Sequence, residues 1–312
     1  MTQQDIDILQ RLISIQGVAS DESKIKEFIK NYVLENANTW KCKPQILDGP
    51  DFHDTMILVF GNPRTAVYAH MDTIGYSVGY ENHLIKVGGP KIIDGTILVG
   101  ADATGPCEVE LMAIEQENGQ LEIQFVGERP LERGTLLSFK PNFRETDEFV
   151  QSPYLDNRLG VFVALKLAET LENGAIVFST YEEHGGNSVG HCAHHLFQNY
   201  GIKQALIADI TWVTSGVEHG KGVAISMRDS MLPRRSYLNR IIELAKNSGV
   251  DFQLEVESAG GSDGSVLQKS DLPIDWCFIG AAENNVHTPD EIVHKDDITS
   301  MIQLYQYLMV NL

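Results

Sequence analysis

Residues 157–183 read NRLGVFVALKLAETLENGAIVFSTYEE. The part up to Asn173 has the make-up of a helix, and AIVFSTYEE is a short β-rich run that reads as the next strand. The same rhythm continues downstream. SVGHCAHHLFQNY reads as a helix and QALIADIT as a buried strand. RRSYLNRIIELAKNSG is amphipathic, with Gly249 where a helix C-cap would sit. FQLEVES and PIDWCFIG supply further strands, and DDITSMIQLYQYLMVNL closes the chain as a helix capped by Asp296 or Asp297. Upstream, two helical patterns (QDIDILQRLISI and KIKEFIKNYVLEN) precede the strands MILVF (56–60) and TAVYAH (65–70). Strands alternating with helices argue for an α/β layered sheet.

Residues 76–152 interrupt this rhythm. IKVGG, KIIDGTILVG, VELMAIEQENGQLEIQFVG and GTLLSF are β-rich runs divided by Gly, Asn and Pro, with no long amphipathic helix among them. The expected architecture is a three-layer α/β/α sandwich around a mixed sheet, formed by 1–75 and 153–312, with a small β-rich domain inserted at 76–152. A length of 312 residues gives a soft prior of about two domains.

Asp and Glu number 43 against 24 Lys and Arg, a net charge of −19. Polyanion binding needs clustered cations, so nucleic acid and anionic membrane are disfavoured as partners. Cys42, Cys107, Cys192 and Cys277 are far apart and form no CxxC pair. Free thiols in a reducing compartment are the expectation. MTQQDIDILQRL lacks the features of a signal peptide and no apolar run is long enough to span a membrane, so the protein is read as cytoplasmic.

Ligands of open α/β sheets bind beyond the carboxyl ends of the strands. TAVYAH ends in His70-Met71-Asp72, AIVFSTY in Glu182-Glu183 and QALIAD in Asp209, and PIDWCFIG leads to a loop holding His287. The insert returns through Tyr154-Leu155-Asp156-Asn157-Arg158. One such residue is an ordinary cap or loop residue, but together they supply what two divalent ions need. Mixed N/O ligands suit zinc, cobalt or manganese. Asp72, two residues after His70, is placed to accept the second ring N–H of a ligating imidazole.

AHMDTIGY, YLDNRLG, TYEEHGG, LIADIT, SAGGSDGS and NNVHTPDEIV resemble, in order over nearly the whole chain, the motifs of the glutamyl/deblocking (tetrahedral) aminopeptidases. These are co-catalytic dinuclear metallopeptidases. The resemblance implies two divalent metal ions per chain, zinc or cobalt. Asp156 would bridge them, His70 and Asp209 would complete one site, and Glu183 and His287 the other. Glu182 would be the general base and Asp72 the orienting group. The resemblance also implies peptide substrates and assembly as a homo-oligomer. The insert falls where that family carries its small β domain, whereas related carboxypeptidases place theirs between the equivalents of Asp209 and His287.

Some residues depart from the pattern or carry weaker signals. EEHGGNSVG replaces a more apolar stretch, which makes His184 a candidate substrate contact. Asp263, in the Gly-rich AGGSDG, is another, although a turn with Ser262 or Asp263 as N-cap accounts for it equally well. His191, His194 and His195 share one helix face without an HExxH motif and read as surface or interface. Arg228, Arg234 and Arg235 read as a solvated basic cluster, with an acidic substrate side chain as the alternative. Two rival functions remain: a carboxypeptidase or amide deacylase with the same metal pair, and a non-catalytic metal-binding protein.

Overall fold

A computed structural model describes residues 1–116, 119–186 and 188–312. Helix α1 (Gln3–Ile13) begins with a reciprocal cap, in which the Thr2 hydroxyl accepts the Asp5 amide and the Asp5 carboxylate accepts the Thr2 amide. Helix α2 (Ser23–Asn36) buries Ile25, Ile29 and Val33, four residues apart on one face. Strands β1 (Gln45–Leu47), β2 (Met56–Phe60) and β3 (Thr65–His70) follow. The next six strands are β4 (Gly75–Val78), β5 (Leu84–Val87), β6 (Ile97–Asp102), β7 (Gly105–Glu115), β8 (Leu121–Val126) and β9 (Leu136–Phe139). Then come β10 (Arg144–Glu145), β11 (Phe149–Ser152), helix α3 (Leu155–Ala168), β12 (Gly174–Ser179), helix α4 (Ser188–Tyr200) and β13 (Gln204–Trp212). The chain closes with β14 (Val223–Arg228), helix α5 (Arg235–Ser248), β15 (Phe252–Val256), helix α6 (Gly264–Lys269), β16 (Asp275–Asn284), β17 (Glu291–His294) and helix α7 (Lys295–Asn311).

The large sheet runs β1-β2-β12-β3-β13-β16-β17-β11-β10, with β14 beside β16 and β15 beyond β14. Strands β12, β3, β13 and β16 are parallel, β2 and β17 run against their neighbours, and β14 runs against β16 but parallel to β15, so the sheet is mixed. Both faces are covered, and the central strands show it residue by residue. In β3, Ala66 and Tyr68 join one core with α4 and α6, while Val67 and Ala69 join the other with α1, α2, α3, α5 and α7. Successive side chains of a strand point to opposite faces, so an all-apolar strand sandwiched between helices feeds two cores at once. This is the expected three-layer α/β/α arrangement.

Strands β4 to β9 build a second sheet in the order β5-β4-β9-β6-β7-β8 around Tyr76, Leu98, Leu111, Phe125 and Phe139. A bridge between His83 and Gln124, and a bond from the Phe125 amide to the Asn82 carbonyl, bring β8 back to the first hairpin, so this sheet is nearly closed. The stretch 76–152 is therefore divided. Its sheet ends at Phe139, and β10 and β11 join the large sheet because β11 pairs antiparallel with β17. Among the described residues no helix is long and apolar enough to cross a membrane.

Candidate active site

Register sets the floor of the site. β12 pairs with β3 in parallel with Ser179 opposite His70, so the two strands end level and their following loops emerge side by side. Asp209 lies within β13, opposite Gly280 of β16, and the strand continues to Trp212 rather than ending at Asp209. Asp156 opens α3, and its peptide bond to Asn157 is cis. Asn157 pins this turn down: its Nδ2 donates to the Ala208 carbonyl at 2.9 Å, and its Oδ1 accepts the Gly160 amide at 2.8 Å. A Cβ at Gly160 would stand 2.3 Å from the Ala208 carbonyl oxygen, so only glycine lets α3 lie this close to β13. The run Asp156-Asn157-Arg158-Leu159-Gly160 thus holds one carboxylate against the strand that carries another.

Two groups of ligating atoms result, His70–Asp156–Asp209 and Asp156–Glu183–His287, each within 4.8 Å internally. His70 Nε2 is 3.3 Å from Asp156 Oδ1 and 3.5 Å from Asp209 Oδ2. His287 Nε2 is 3.3 Å from both Asp156 Oδ2 and Glu183 Oε2. Charge-assisted N–H···O bonds are shorter, about 2.7–2.9 Å. Two ligands on one tetrahedral ion with bonds of about 2.0–2.1 Å stand about 3.3–3.4 Å apart. The spacing fits a cation at each group, with one Asp156 oxygen facing each. Glu183 Oε1, buried without a hydrogen-bond partner among the described residues, supports the same fit, since a bare buried carboxylate oxygen needs a cation or a donor.

The electrostatics point the same way. Burial opposes a charge on His70, but Asp209, Asp156 and Asp72 outweigh it and raise its pKa well above the ordinary value. Burial likewise opposes charge on His287, yet Asp156 and Glu183 push it up to about 11. Burial, reinforced by the Asp156 charge, lifts Glu183 to about 7. Burial also raises Glu182 well above the carboxylate range; His70 opposes this, while Asp209, Asp263 and Glu183 add to it. The buried carboxylates around the two imidazoles thus call for positive charge.

Asp72 does more than the expected job. Its main-chain carbonyl stands 3.2 Å from His70 Nδ1 and its carboxylate 3.5 Å. The Asp72 carboxylate also accepts the amides of Glu182 at 3.1 Å and Glu183 at 3.0 Å, fixing the turn that carries both glutamates. Behind it lies Arg158, fully buried and donating to the carbonyls of Met71 and Ile15. Burial lowers the Arg158 pKa to about 10, against the pull of Asp72 and Glu22.

Three contributors were not singled out from the sequence, although Glu291 lies within NNVHTPDEIV. Glu291 accepts the amides of Asp156 at 3.2 Å and His287 at 3.0 Å, tying a ligand of each group to one carboxylate. Glu283 lines the cavity, is buried, and has no partner on either oxygen. The ring of His287 faces the Gly89 carbonyl, 3.1 Å from Nδ1, and that carbonyl belongs to the loop after β5 in the small sheet. Glu291 stands next to Asp290 in a polar stretch, and a backbone carbonyl leaves no trace in residue type.

Asp156, Glu182, Glu183, Asp209 and His287 open into one cavity of about 540 Å³. His70 and Asp72 are buried beneath it. Asp263 is buried, accepts a bond from the Ser179 hydroxyl and lines an adjoining cavity together with Glu182, His191 and His194. His184 is exposed and accepts the Gly88 amide at 3.2 Å, anchoring the small sheet instead of facing the cavity. His191 and His195 pack edge-on against Phe52, and His194 pairs with Asp271 at 3.0 Å. Arg234 forks onto Asp275, and neither it, Arg228 nor Arg235 lines the main cavity.

A family model described as M42 glutamyl aminopeptidase matches residues 115–304, more than half of the chain. The chain belongs to the M42 glutamyl aminopeptidase family. Solved structures repeat the fold of this M42 chain over nearly its whole length. Aminopeptidase APDkam598 from the archaeon Desulfurococcus kamchatkensis superposes with a TM-score of 0.86 at 18% identity, covering 99% of this chain and 95% of that one. A TET aminopeptidase from a marine-sediment Thaumarchaeota archaeon gives 0.85 at 17% identity over 98% and 97% of the two chains. Pyrococcus horikoshii TET1 peptidase gives 0.80 at 22% identity over 97% and 98%, and it is described as assembling into a tetrahedron or a large octahedral shell.

Proposed function

We propose that this chain is a dinuclear metal-dependent aminopeptidase that removes the N-terminal residue of peptides. One observation carries the reading: two ligand groups share Asp156, and Glu182 lies beside both in a single cavity. His70 and Asp209 would hold one divalent ion and Glu183 and His287 the other, zinc or cobalt by the chemistry of the donors. Such ions supply a water of lowered pKa and a polarised scissile carbonyl. Glu182 takes the proton of the attacking water and returns it to the leaving amine. Its burial raises its affinity for a proton, which suits that task. Asp72 holds the Glu182 and Glu183 amides so that the two adjacent side chains diverge, one to the reacting water and one to the metal site.

The lining favours this reading over the carboxypeptidase or deacylase alternative. Among the described residues the cavity presents eight carboxylates and a single lysine, Lys91. A substrate carboxylate would be repelled there, whereas a free α-ammonium is attracted. The 75–139 sheet is read as a separate inserted domain, the assembly as a homo-oligomer, and the four free thiols as those of a cytoplasmic protein. Protein reconstituted with zinc should bind two equivalents and hydrolyse aminoacyl p-nitroanilides, but not their N-acetylated counterparts or C-terminal peptide bonds. Hydrolysis of the N-acetylated series instead would identify the deacylase.

A further inference from the structure

We propose that the cavity is a recess for a cationic side chain, so that the enzyme prefers N-terminal lysine and arginine. This rests on the aminopeptidase reading above and adds the substrate class. Asp229, Glu255 and Glu257 line the cavity beside the metal-ligand groups and take no part in either group. They come from the end of β14 and from β15 and its exit, on the far side of β16 from β3. Thr211, two residues beyond Asp209 on β13, donates its hydroxyl to Glu255 and so ties this wall to the metal-ligand wall.

The wall lacks the cation it calls for. Asp229 is only 4% exposed, and its Oδ2 has no hydrogen-bond partner among the described residues. Glu255 is 3% exposed and has Thr211 and Ser226 as polar neighbours, with Asp229 and Glu257 as further negative charges. Glu283, between this wall and the ligand groups, is unpartnered as well. Buried carboxylates without partners are costly unless a donor or cation arrives. Two divalent ions would offset half of the formal charge of the eight carboxylates, and Lys91 one unit more. About three units of negative charge are left, and a lysyl or arginyl head group offsets one of them.

The same wall suits the rest of a long basic side chain. Trp212 is 39% exposed at the cavity, and Gly260 beside it has no side chain to cover the ring. An indole face gives a methylene stem apolar surface and attracts a nearby cation. An N-terminal glutamate meets carboxylates on every side. Arg228, Arg234 and Arg235, the basic residues that might have served it, lie outside the cavity lining.

The test uses zinc-loaded enzyme and the p-nitroanilides of lysine, arginine, leucine and glutamate. The expected kcat/KM for lysine and arginine exceeds that for leucine by at least about ten-fold, with glutamate slowest. Asp229→Asn and Glu255→Gln keep the acceptors for the Met231 amide and the Thr211 hydroxyl while removing charge. Each should lower the lysine-to-leucine ratio by about five-fold or more. If one variant fails to fold, as judged by its melting curve, the other decides. Calorimetric binding of lysine against norleucine, which lacks only the ammonium, gives an answer that does not depend on turnover: lysine should bind more tightly to the wild type, and this advantage should shrink in the variants. A preference for leucine or glutamate, or ratios unmoved by both substitutions, would overturn the recess. If no anilide is hydrolysed by fully loaded protein, the aminopeptidase reading fails instead, and the lysine–norleucine comparison still decides the recess.

Discussion

Asp72→Asn tests how the two adjacent glutamates are held. The two Asp72 oxygens accept the amides of Glu182 and Glu183 at 3.1 and 3.0 Å, and the side chain has no exposure to water. An asparagine has one oxygen, so its NH2 must face one of these amides, donor against donor. A buried amide left unpaired costs about 1–3 kcal/mol. Arg158 adds to this, because it is buried too and Asp72 is the first of the negative groups that keep it charged. The amide term is therefore a floor. Urea unfolding of the metal-free variant should show a loss of at least about 1–3 kcal/mol with an unchanged m-value. The same strain falls on the turn bearing Glu182, so kcat/KM should drop by about ten- to a hundred-fold in zinc-loaded protein. An unchanged unfolding midpoint together with wild-type kcat/KM would refute the reasoning. Loss of metal at the His70 group with stability intact would show that the carboxylate acts on the imidazole after all.

Further expectations concern neighbouring groups. Glu182→Gln should lower kcat by about 10²–10⁴-fold with both metals retained, whereas Glu183→Gln should weaken one metal site, and excess zinc should partly restore its activity. Full activity in both variants would exclude the mechanism. Zinc at a hundred times its dissociation constant should stabilise the fold by about 2.7 kcal/mol per site, and a melting temperature indifferent to EDTA would count against the two ligand groups. Glu22 is buried with Oε2 unpartnered, and burial and Asp72 raise its pKa from 4.5 to about 7. The folded chain thus holds this proton more tightly than the unfolded one, so stability present below pH 4.5 is lost as pH rises to about 7. Glu22→Gln should remove that decline and gain up to about 3 kcal/mol at pH 8; an unaltered stability–pH curve would refute this. Replacing 76–139 by a short linker should leave the α/β core folded but weaken the His287 metal site, since Gly89 goes with it; soluble protein that keeps both metals at wild-type affinity would contradict that role.

Periodicity carried much of the fold. The apolar strands Met56–Phe60 and Thr65–His70 are buried on both faces, and such runs between helical patterns have few other homes. The candidate residues His70, Glu183, Asp209 and His287 were legible because each follows or ends a run of this kind, whereas Asp156 was marked only by the return of the chain from the insert. The sequence was silent where long-range pairing decides. Phe149–Ser152 reads as part of the insert by texture, yet it pairs with Glu291–His294 in the large sheet. Glu283 and Glu291 sit near the site because β16 and β17 pair with Glu283 opposite Val293, a registration that no local spacing announces. Asp72 looked like a partner for His70 because they are two residues apart. Its further partners, the amides of Glu182 and Glu183, lie 110 and 111 residues away, delivered by the β3–β12 register.

That register has a consequence for how such a chain can change in length. Ser179 stands opposite His70, and Asp209 opposite Gly280. Adding or removing one residue inside β3, β12 or β13 would turn every following side chain to the opposite face and carry the ligand with it. The hairpin loops of the small sheet face no such bookkeeping, provided the turn at Gly88 and Gly89 still reaches His184 and His287. Drift in length should therefore collect in the loops between β6, β7 and β8, while the intervals within the central parallel strands stay rigidly counted.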